Sequence, residues 1–286
     1  MKFQAAAIQM PSTLGEVDEN LERADAYLRE ARDRGVEVAV LPELFNTGYG
    51  LCTHYASMAE DAEGPTLRYL RDRARAWGML ITAGFAERDG RHVHNAQAVC
   101  LPNGTVQIYR KRHLVFWERF CFRPGAAPLI VATPWGRVGL AICADMIYRK
   151  VWAEYRDRID LAIISSAWPV FADRDTGRRH WLFGHVGPLS GEIPAKVARD
   201  LGIPVIFANQ CGVTRTTIPV LGTRIADRFA GLSSLCDGLH AGAVRAGGEA
   251  AMLVKELTVH PKRGPVTCHF MSHSVPADSS FNSEPS

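Results

Sequence analysis

The sequence has no Cys-x-x-Cys pair, although it carries seven cysteines, at 52, 100, 121, 143, 211, 236 and 268. An odd number without close pairing argues against a disulfide framework and against a zinc site, and reads as reduced thiols. No apolar stretch approaches the length of a membrane span. Met1-Lys-Phe leads directly into a strand-like run rather than the apolar core of a signal peptide. The expectation is a cytoplasmic protein with no membrane partner. Charge of one sign is scarce as well: 33 Lys and Arg against 30 Asp and Glu leave +3, interspersed along the chain, which gives no case for nucleic acid. No glycine-rich loop of the phosphate-cradling kind is visible. No Pro/Gly/Ser linker interrupts residues 1 to 270.

What is present is enough apolar material for a substantial core. The chain has 286 residues, 47% hydrophobic and 22% charged, compatible with one domain over 1–271. Residues 272–286 lose all apolar periodicity and are expected to form a mobile tail. Phe3 to Gln9 reads as a strand, Glu19 to Arg34 as a helix with Leu21, Ala24, Leu28 and Ala31 at helical spacing, and Val36 to Leu41 as the next strand. Thr66 to Trp77 reads as a second helix. A meander over 79–87, 96–101 and 106–110 follows, with turns at Asp89-Gly90 and Asn103-Gly104. Strands at 138–143, 161–165 and 205–209 alternate with helices at 149–155 and 187–201, and strand pairs continue to Val259. Alternating βα units with hairpins imply mixed sheets covered by helices.

Three segments carry chemistry. Arg137-Val-Gly-Leu-Ala-Ile-Cys143-Ala-Asp145 brings a thiol to the end of a short apolar strand just before a helix-forming stretch, where N–H groups and the helix dipole would favour an anion. Val38-Ala-Val-Leu-Pro-Glu43 ends a buried strand in a carboxylate, whose partial desolvation suits it to proton transfer. Tyr109-Arg-Lys111-Arg-His-Leu-Val-Phe-Trp117-Glu118 interleaves bases with aromatic and aliphatic residues, which suggests a charge held inside a pocket. Each has a plainer reading taken alone: a core sulfur, a capping glutamate, a solvated basic face.

Together, Glu43, Lys111 and Cys143, each at a strand end and in that order, resemble the catalytic set of the nitrilase, or carbon-nitrogen hydrolase, superfamily. The likeness extends to Leu41-Pro42-Glu43 with Gly48, to Lys111-Arg-His113-Leu114, to Glu118 ahead of Phe122, Pro124 and Gly125, and to Gly139-Leu-Ala-Ile-Cys143-Ala-Asp145. Ser165-Ser-Ala-Trp168-Pro169, Val205-Ile-Phe-Ala-Asn209-Gln-Cys-Gly212 and Phe229-Ala-Gly231-Leu-Ser233 match further elements, so that coverage runs from residue 3 to about 260.

The resemblance implies a four-layer α-β-β-α sandwich of two mixed sheets and a cofactor-free, metal-free amide hydrolase. Cys143 would be the nucleophile, Glu43 the general base and acid, and Lys111 with the Ala144 N–H the oxyanion stabiliser. Glu118 would orient Lys111 or the substrate, or else form a structural salt bridge. Tyr49, Trp117, Tyr148 and Trp168 are candidates for the substrate pocket wall and equally for core packing. The substrate is expected to be a small amide. Ala144-Asp145 stands where nitrile-hydrolysing relatives carry Trp-Glu, and an N-carbamoyl compound or a nitrile are the alternatives. An arginine suited to clamping a substrate carboxylate appears only at Arg149. A homodimer or higher homo-oligomer is expected, partly from the family and partly from the apolar Val151, Trp152 and Tyr155. From a different class, the same fold could serve as a catalytically inactive binding subunit.

Overall fold

The computed structural model describes residues 1–50, 54–170, 188–217, 224–238 and 243–261. Cys52, Cys268 and the tail at 272–286 lie outside the described residues. In chain order the elements are β1 (Lys2–Gln9), α1 (Val17–Asp33), β2 (Val38–Val40), α2 (Tyr55–Met58), α3 (Pro65–Trp77), β3 (Leu80–Asp89), β4 (His92–Cys100) and β5 (Val106–Arg110). The second half contributes β6 (Ile130–Thr133), β7 (Gly136–Ile142), α4 (Arg149–Tyr155), β8 (Leu161–Ser166), α5 (Leu189–Leu201), β9 (Val205–Asn209), β10 (Val213–Thr217), β11 (Arg224–Arg228), β12 (Ser234–Cys236), β13 (Val244–Arg245) and β14 (Ala251–Thr258).

Two mixed six-stranded sheets result, ordered β14-β1-β2-β3-β4-β5 and β13-β12-β9-β8-β7-β6, with β10-β11 as a separate ribbon. The strand sequences explain why both sheets are covered on both faces. In β1, Phe3, Ala5 and Ala7 join one apolar cluster while Ala6 and Ile8 join another; in β2, Val38 and Val40 oppose Ala39 in the same way. Successive side chains point to opposite faces, so a strand buried on both sides must be apolar throughout, as Ala5-Ala-Ala-Ile8 is.

The outer face of the first sheet is closed by Ala24 and Leu28 of α1 and by Leu67, Leu70 and Ala74 of α3. Its inner face meets the second sheet, and α4 and α5 cover that sheet through Val151, Trp152, Tyr155, Ala195 and Ala198. This is the four-layer α-β-β-α sandwich. Val151 and Tyr155 are fully buried in the protein's own core and Trp152 nearly so. They therefore provide no exposed apolar face to motivate a dimer. Among the described residues no helix is long and apolar enough to cross a membrane.

Three boundaries differ from the sequence expectation in ways that matter for the site. Strand β4 begins at His92 rather than Ala96, which brings Asn95 into the sheet opposite Ala86. Strand β6, a short hairpin partner of β7, escapes a periodicity reading because only four residues form it. Finally, β7 stops at Ile142. A five-residue 3-10 turn, Cys143–Ile147, separates it from α4.

Candidate active site

Glu43, Lys111 and Cys143 all lie just past the C-terminal ends of strands, and the sandwich stacks those ends together. Glu43 follows β2, where the backbone turns sharply at Leu44 with φ +47°. Gly84 of β3 makes room for that turn: a Cβ on it would fall 2.5 Å from the Glu43 Cα. The Gln210 side chain donates to the Glu43 carbonyl at 2.8 Å. Lys111 follows β5, tied by its N–H to the Asn95 carbonyl at 2.8 Å. Glu118 sits on a second 3-10 turn, Phe116–Phe120, and its Oε2 accepts the Val115 N–H at 2.8 Å.

These placements build a fully buried polar triangle. Lys111 Nζ lies 2.7 Å from Glu43 Oε1 and 2.7 Å from Glu118 Oε1, with all three side chains at 0% exposure. Asn95 Nδ2 donates to the same two oxygens, at 2.7 and 3.2 Å. The second Glu43 oxygen accepts the Ala167 N–H at 2.7 Å, and the Tyr49 hydroxyl donates to Glu118 Oε1 at 3.2 Å. Burial by itself would lower the Lys111 pKa, but the charges of Glu118 and Glu43 outweigh it and hold the ammonium well above its usual range. Burial raises the Glu118 pKa, the Lys111 charge opposes this, and the Glu43 charge reinforces it.

Cys143 opens the 3-10 turn with φ +46°. For a residue with a Cβ this conformation costs about 1–2 kcal/mol, and such strain concentrates at functional sites. Asp145 holds the turn closed. It is fully buried, accepting the Ile142 N–H, the Tyr109 hydroxyl, and both the N–H and Nδ1 of His113.

The thiol opens this 3-10 turn, and the α-helix expected there begins only at Arg149. Burial pushes the Cys143 thiol up, the Glu43 charge pushes it further, and the Lys111 charge and the Ser166 hydroxyl offset this only in part. Together these effects favour the thiol over the thiolate. Ser166 Oγ is buried without a hydrogen-bond partner among the described residues, and its neighbour Ala167 supplies the N–H on Glu43. One strand end therefore faces both thiol and carboxylate.

The aromatic candidates separate into three groups. Tyr49 is buried against Glu118, its ring 5.9 Å from Lys111 Nζ, and Trp117 packs edge-on against it at 4.8 Å. Trp168 belongs to the main apolar core. Tyr148 is 46% exposed and stacks on His113 at 3.9 Å. It lines a cavity of about 420 Å³ with Arg112, His113, Arg119 and Arg123. Arg149 sits apart from all of these, in a surface groove with Lys150 and Asp200 between α4 and α5.

Sequence reading overlooked Asn95, Ser166 and Gln210 as members of the site. The available signal was polarity inside apolar strands, Asn95 and Gln97 in β4 and the Ser165-Ser166 pair ending β8.

The carbon-nitrogen hydrolase family model matches residues 4–234, taking in every group of this cluster. The chain belongs to the carbon-nitrogen hydrolase family. It is 36% identical over 149 residues to a nitrilase of Pyrococcus abyssi, a match covering 51% of this chain and 57% of that protein. It is 31% identical over 190 residues to an omega-amidase of Homo sapiens, covering 63% and 67%. The chain thus spans between about half and two thirds of the length of these curated relatives. Among solved structures, a CN-hydrolase superfamily protein from Xanthomonas campestris superposes with a TM-score of 0.74 at 20% identity, covering 90% of this chain and 91% of that one. An amidase from Nesterenkonia superposes at 0.71 and 22% identity, covering 88% and 92%. These likenesses show that this family member shares the fold of those two proteins.

Proposed function

We propose that this protein hydrolyses the carbon-nitrogen bond of a small amide through a thioester on Cys143. The observation that carries the reading is the buried Lys111 clamped between Glu43 and Glu118, with its charge and that of Glu43 acting on the Cys143 thiol. An amide is a poor electrophile with a poor leaving group, so its hydrolysis needs a nucleophile, a base that becomes an acid, and a stabiliser for the oxyanion.

Cys143 Sγ attacks the amide carbon while its proton passes to Glu43. A thiol held above its usual pKa requires this coupled transfer. The carbonyl oxygen becomes an oxyanion facing Lys111 and the N–H of Ala144, which, as the second residue of the 3-10 turn, has no partner within it. Removing one such donor costs roughly 3 kcal/mol in the barrier. Glu43 then returns the proton to the departing nitrogen, the C–N bond breaks, and the thioester remains. Water attacks the thioester with Glu43 again as base, the C–S bond breaks, and the acid and the Cys143 thiol are released. Glu118 holds Lys111 in place, and Tyr49 with Trp117 forms the adjoining pocket wall. We place the reaction in the cytoplasm.

Ala144-Asp145 favours an amide over a nitrile, and the relatives include both an omega-amidase and a nitrilase. One pocket serves a planar amide and a linear nitrile unequally, because charge develops on different atoms. The test is a panel of small primary amides, N-carbamoyl compounds and the matching nitriles, followed by ammonia release, with Cys143→Ala as control. Amides turned over faster than nitriles, with no turnover by folded Cys143→Ala, is the expected result. Faster nitrile turnover overturns the amide assignment, and carbon dioxide released with the ammonia identifies the carbamoyl branch. More than a few per cent of activity in Cys143→Ala rules out the covalent route.

A further inference from the structure

The polar triangle contains one group with no role in the mechanism above. Asn95, on β4, is 0% exposed, and a buried amide is costly unless its hydrogen bonds are made. Its two donors go to Glu43 Oε1 at 2.7 Å and Glu118 Oε1 at 3.2 Å. Its own carbonyl Oδ1 has no partner among the described residues. The amide orientation is fixed by chemistry, because the reverse would set a carbonyl oxygen against two carboxylate oxygens.

The charge count shows what such a group is needed for. Two carboxylates and one ammonium leave a net negative charge in a region without solvent exposure, where an excess carboxylate tends to take up a proton. Lys111 bridges both oxygens but carries only one positive charge. The remaining neutral donors are private to one carboxylate: Ala167 N–H serves Glu43, while Val115 N–H and the Tyr49 hydroxyl serve Glu118. Asn95 is the one neutral side chain among the described residues that donates to both. Its backbone carbonyl also holds the Lys111 N–H, so a single residue of β4 fixes all three corners.

We infer that Asn95 is a positioning residue for the proposed hydrolysis, bridging Glu43 and Glu118 so that Glu43 Oε1 stays oriented for proton transfer. This rests on the reading of Glu43 as the base. The ionisable groups facing the bridge are Glu43, Glu118, Lys111, Tyr49 and Cys143. Among the described residues, nothing else of opposite charge compensates the second carboxylate when the amide is removed.

The experiment compares wild type with Asn95→Ala and the isosteric Asn95→Asp in the full-length protein. One readout is the pH profile of kcat and KM on the amide turned over best. The other is a 13C titration of glutamate carboxyls, assigned with Glu43→Gln and Glu118→Gln, which needs no turnover. A lost hydrogen bond to a charged group corresponds to a shift of about 1–2 pH units. Removing it favours the protonated carboxyl, so in Asn95→Ala the acid limb of kcat/KM and the midpoints of the glutamate pair should both move up by about that amount. We expect kcat to fall about tenfold or more with KM within about threefold. Asn95→Asp, which adds a third carboxylate, should move both further.

Unchanged midpoints and an unchanged acid limb, even alongside reduced thermal stability, would reduce Asn95 to a packing role and overturn the inference. Should Asn95→Ala fail to fold, Asn95→Asp decides on the same two readouts. Wild type that turns over none of the amides defeats the proposed function instead, and the carboxyl titration then still settles the role of Asn95.

Discussion

Ala167 donates its backbone N–H to Glu43 Oε2 at 2.7 Å, joining residues 124 positions apart in the chain. The bond crosses from the end of β8 in one sheet to the loop after β2 in the other. A carboxylate held on one oxygen by a backbone amide and on the other by Lys111 and Asn95 has little freedom to rotate. Its distance to the thiol is then a property of how the sheets dock.

Glu43→Gln preserves shape and removes the proton acceptor. We expect kcat to fall by about 10² to 10⁴-fold with the circular dichroism spectrum unchanged. Activity within tenfold of wild type would remove Glu43 from the role of base.

The same variant should have the opposite effect on the thiol. The Glu43 charge helps to hold the Cys143 thiol up, so neutralising residue 43 favours the thiolate. Iodoacetamide labelling of Cys143, followed by peptide mass spectrometry from pH 6 to 10, should shift to lower pH in Glu43→Gln while turnover collapses. An unshifted profile would mean that charge repulsion between the two groups is negligible, and a shift to higher pH would mean that Glu43 favours the thiolate.

Gly84→Ala tests the close approach of β3 to the turn at Glu43. A Cβ 2.5 Å from the Glu43 Cα cannot be accommodated without moving the backbone, and overpacking of this kind costs about 1–3 kcal/mol. Denaturant midpoint and kcat should both fall. A fully active, equally stable variant would show that the turn yields freely.

Trp152→Ala separates core packing from assembly. Trp152 lies 8% exposed among Val151, Tyr155 and the second sheet, its indole N–H donating to the Met146 carbonyl at 2.8 Å. Truncation should cost about 3–5 kcal/mol of stability. Light scattering at micromolar concentration should give the same mass for folded Trp152→Ala as for wild type. Dissociation of a wild-type oligomer by this substitution would place the side chain at an interface instead.

Much of this arrangement could be read before any coordinates. Long-range order followed from the apolar runs at Phe3 to Gln9, Val38 to Leu41 and Val205 to Asn209, because strands buried on both faces leave no polar alternation to mislead. Glu43 and Cys143 each follow such a run, and with Lys111 they were legible through their joint resemblance to the carbon-nitrogen hydrolase set. Asn95 did not, since its partners lie 52 and 23 positions away and no local pattern encodes them. The 3-10 turn at Cys143 was equally hidden, because it depends on Asp145 receiving Tyr109 and His113 from a distant segment. The apolar face of α4 was legible, but whether it met a partner or its own sheet was not, since both bury the same residues.

The small residues at the inner face of β1 have a consequence for how this protein tolerates change. Ala5 and Ala7 face the second sheet in the shared core, and the thickness of that layer sets the separation between the loops carrying Glu43 and Cys143. An added methyl group there acts like a shim under one jaw of a vise. The chain could stay folded, repack and remain soluble, yet lose the reach between base and sulfur. Ordinary core substitutions in this seam should therefore register as catalytic defects long before they register as folding ones.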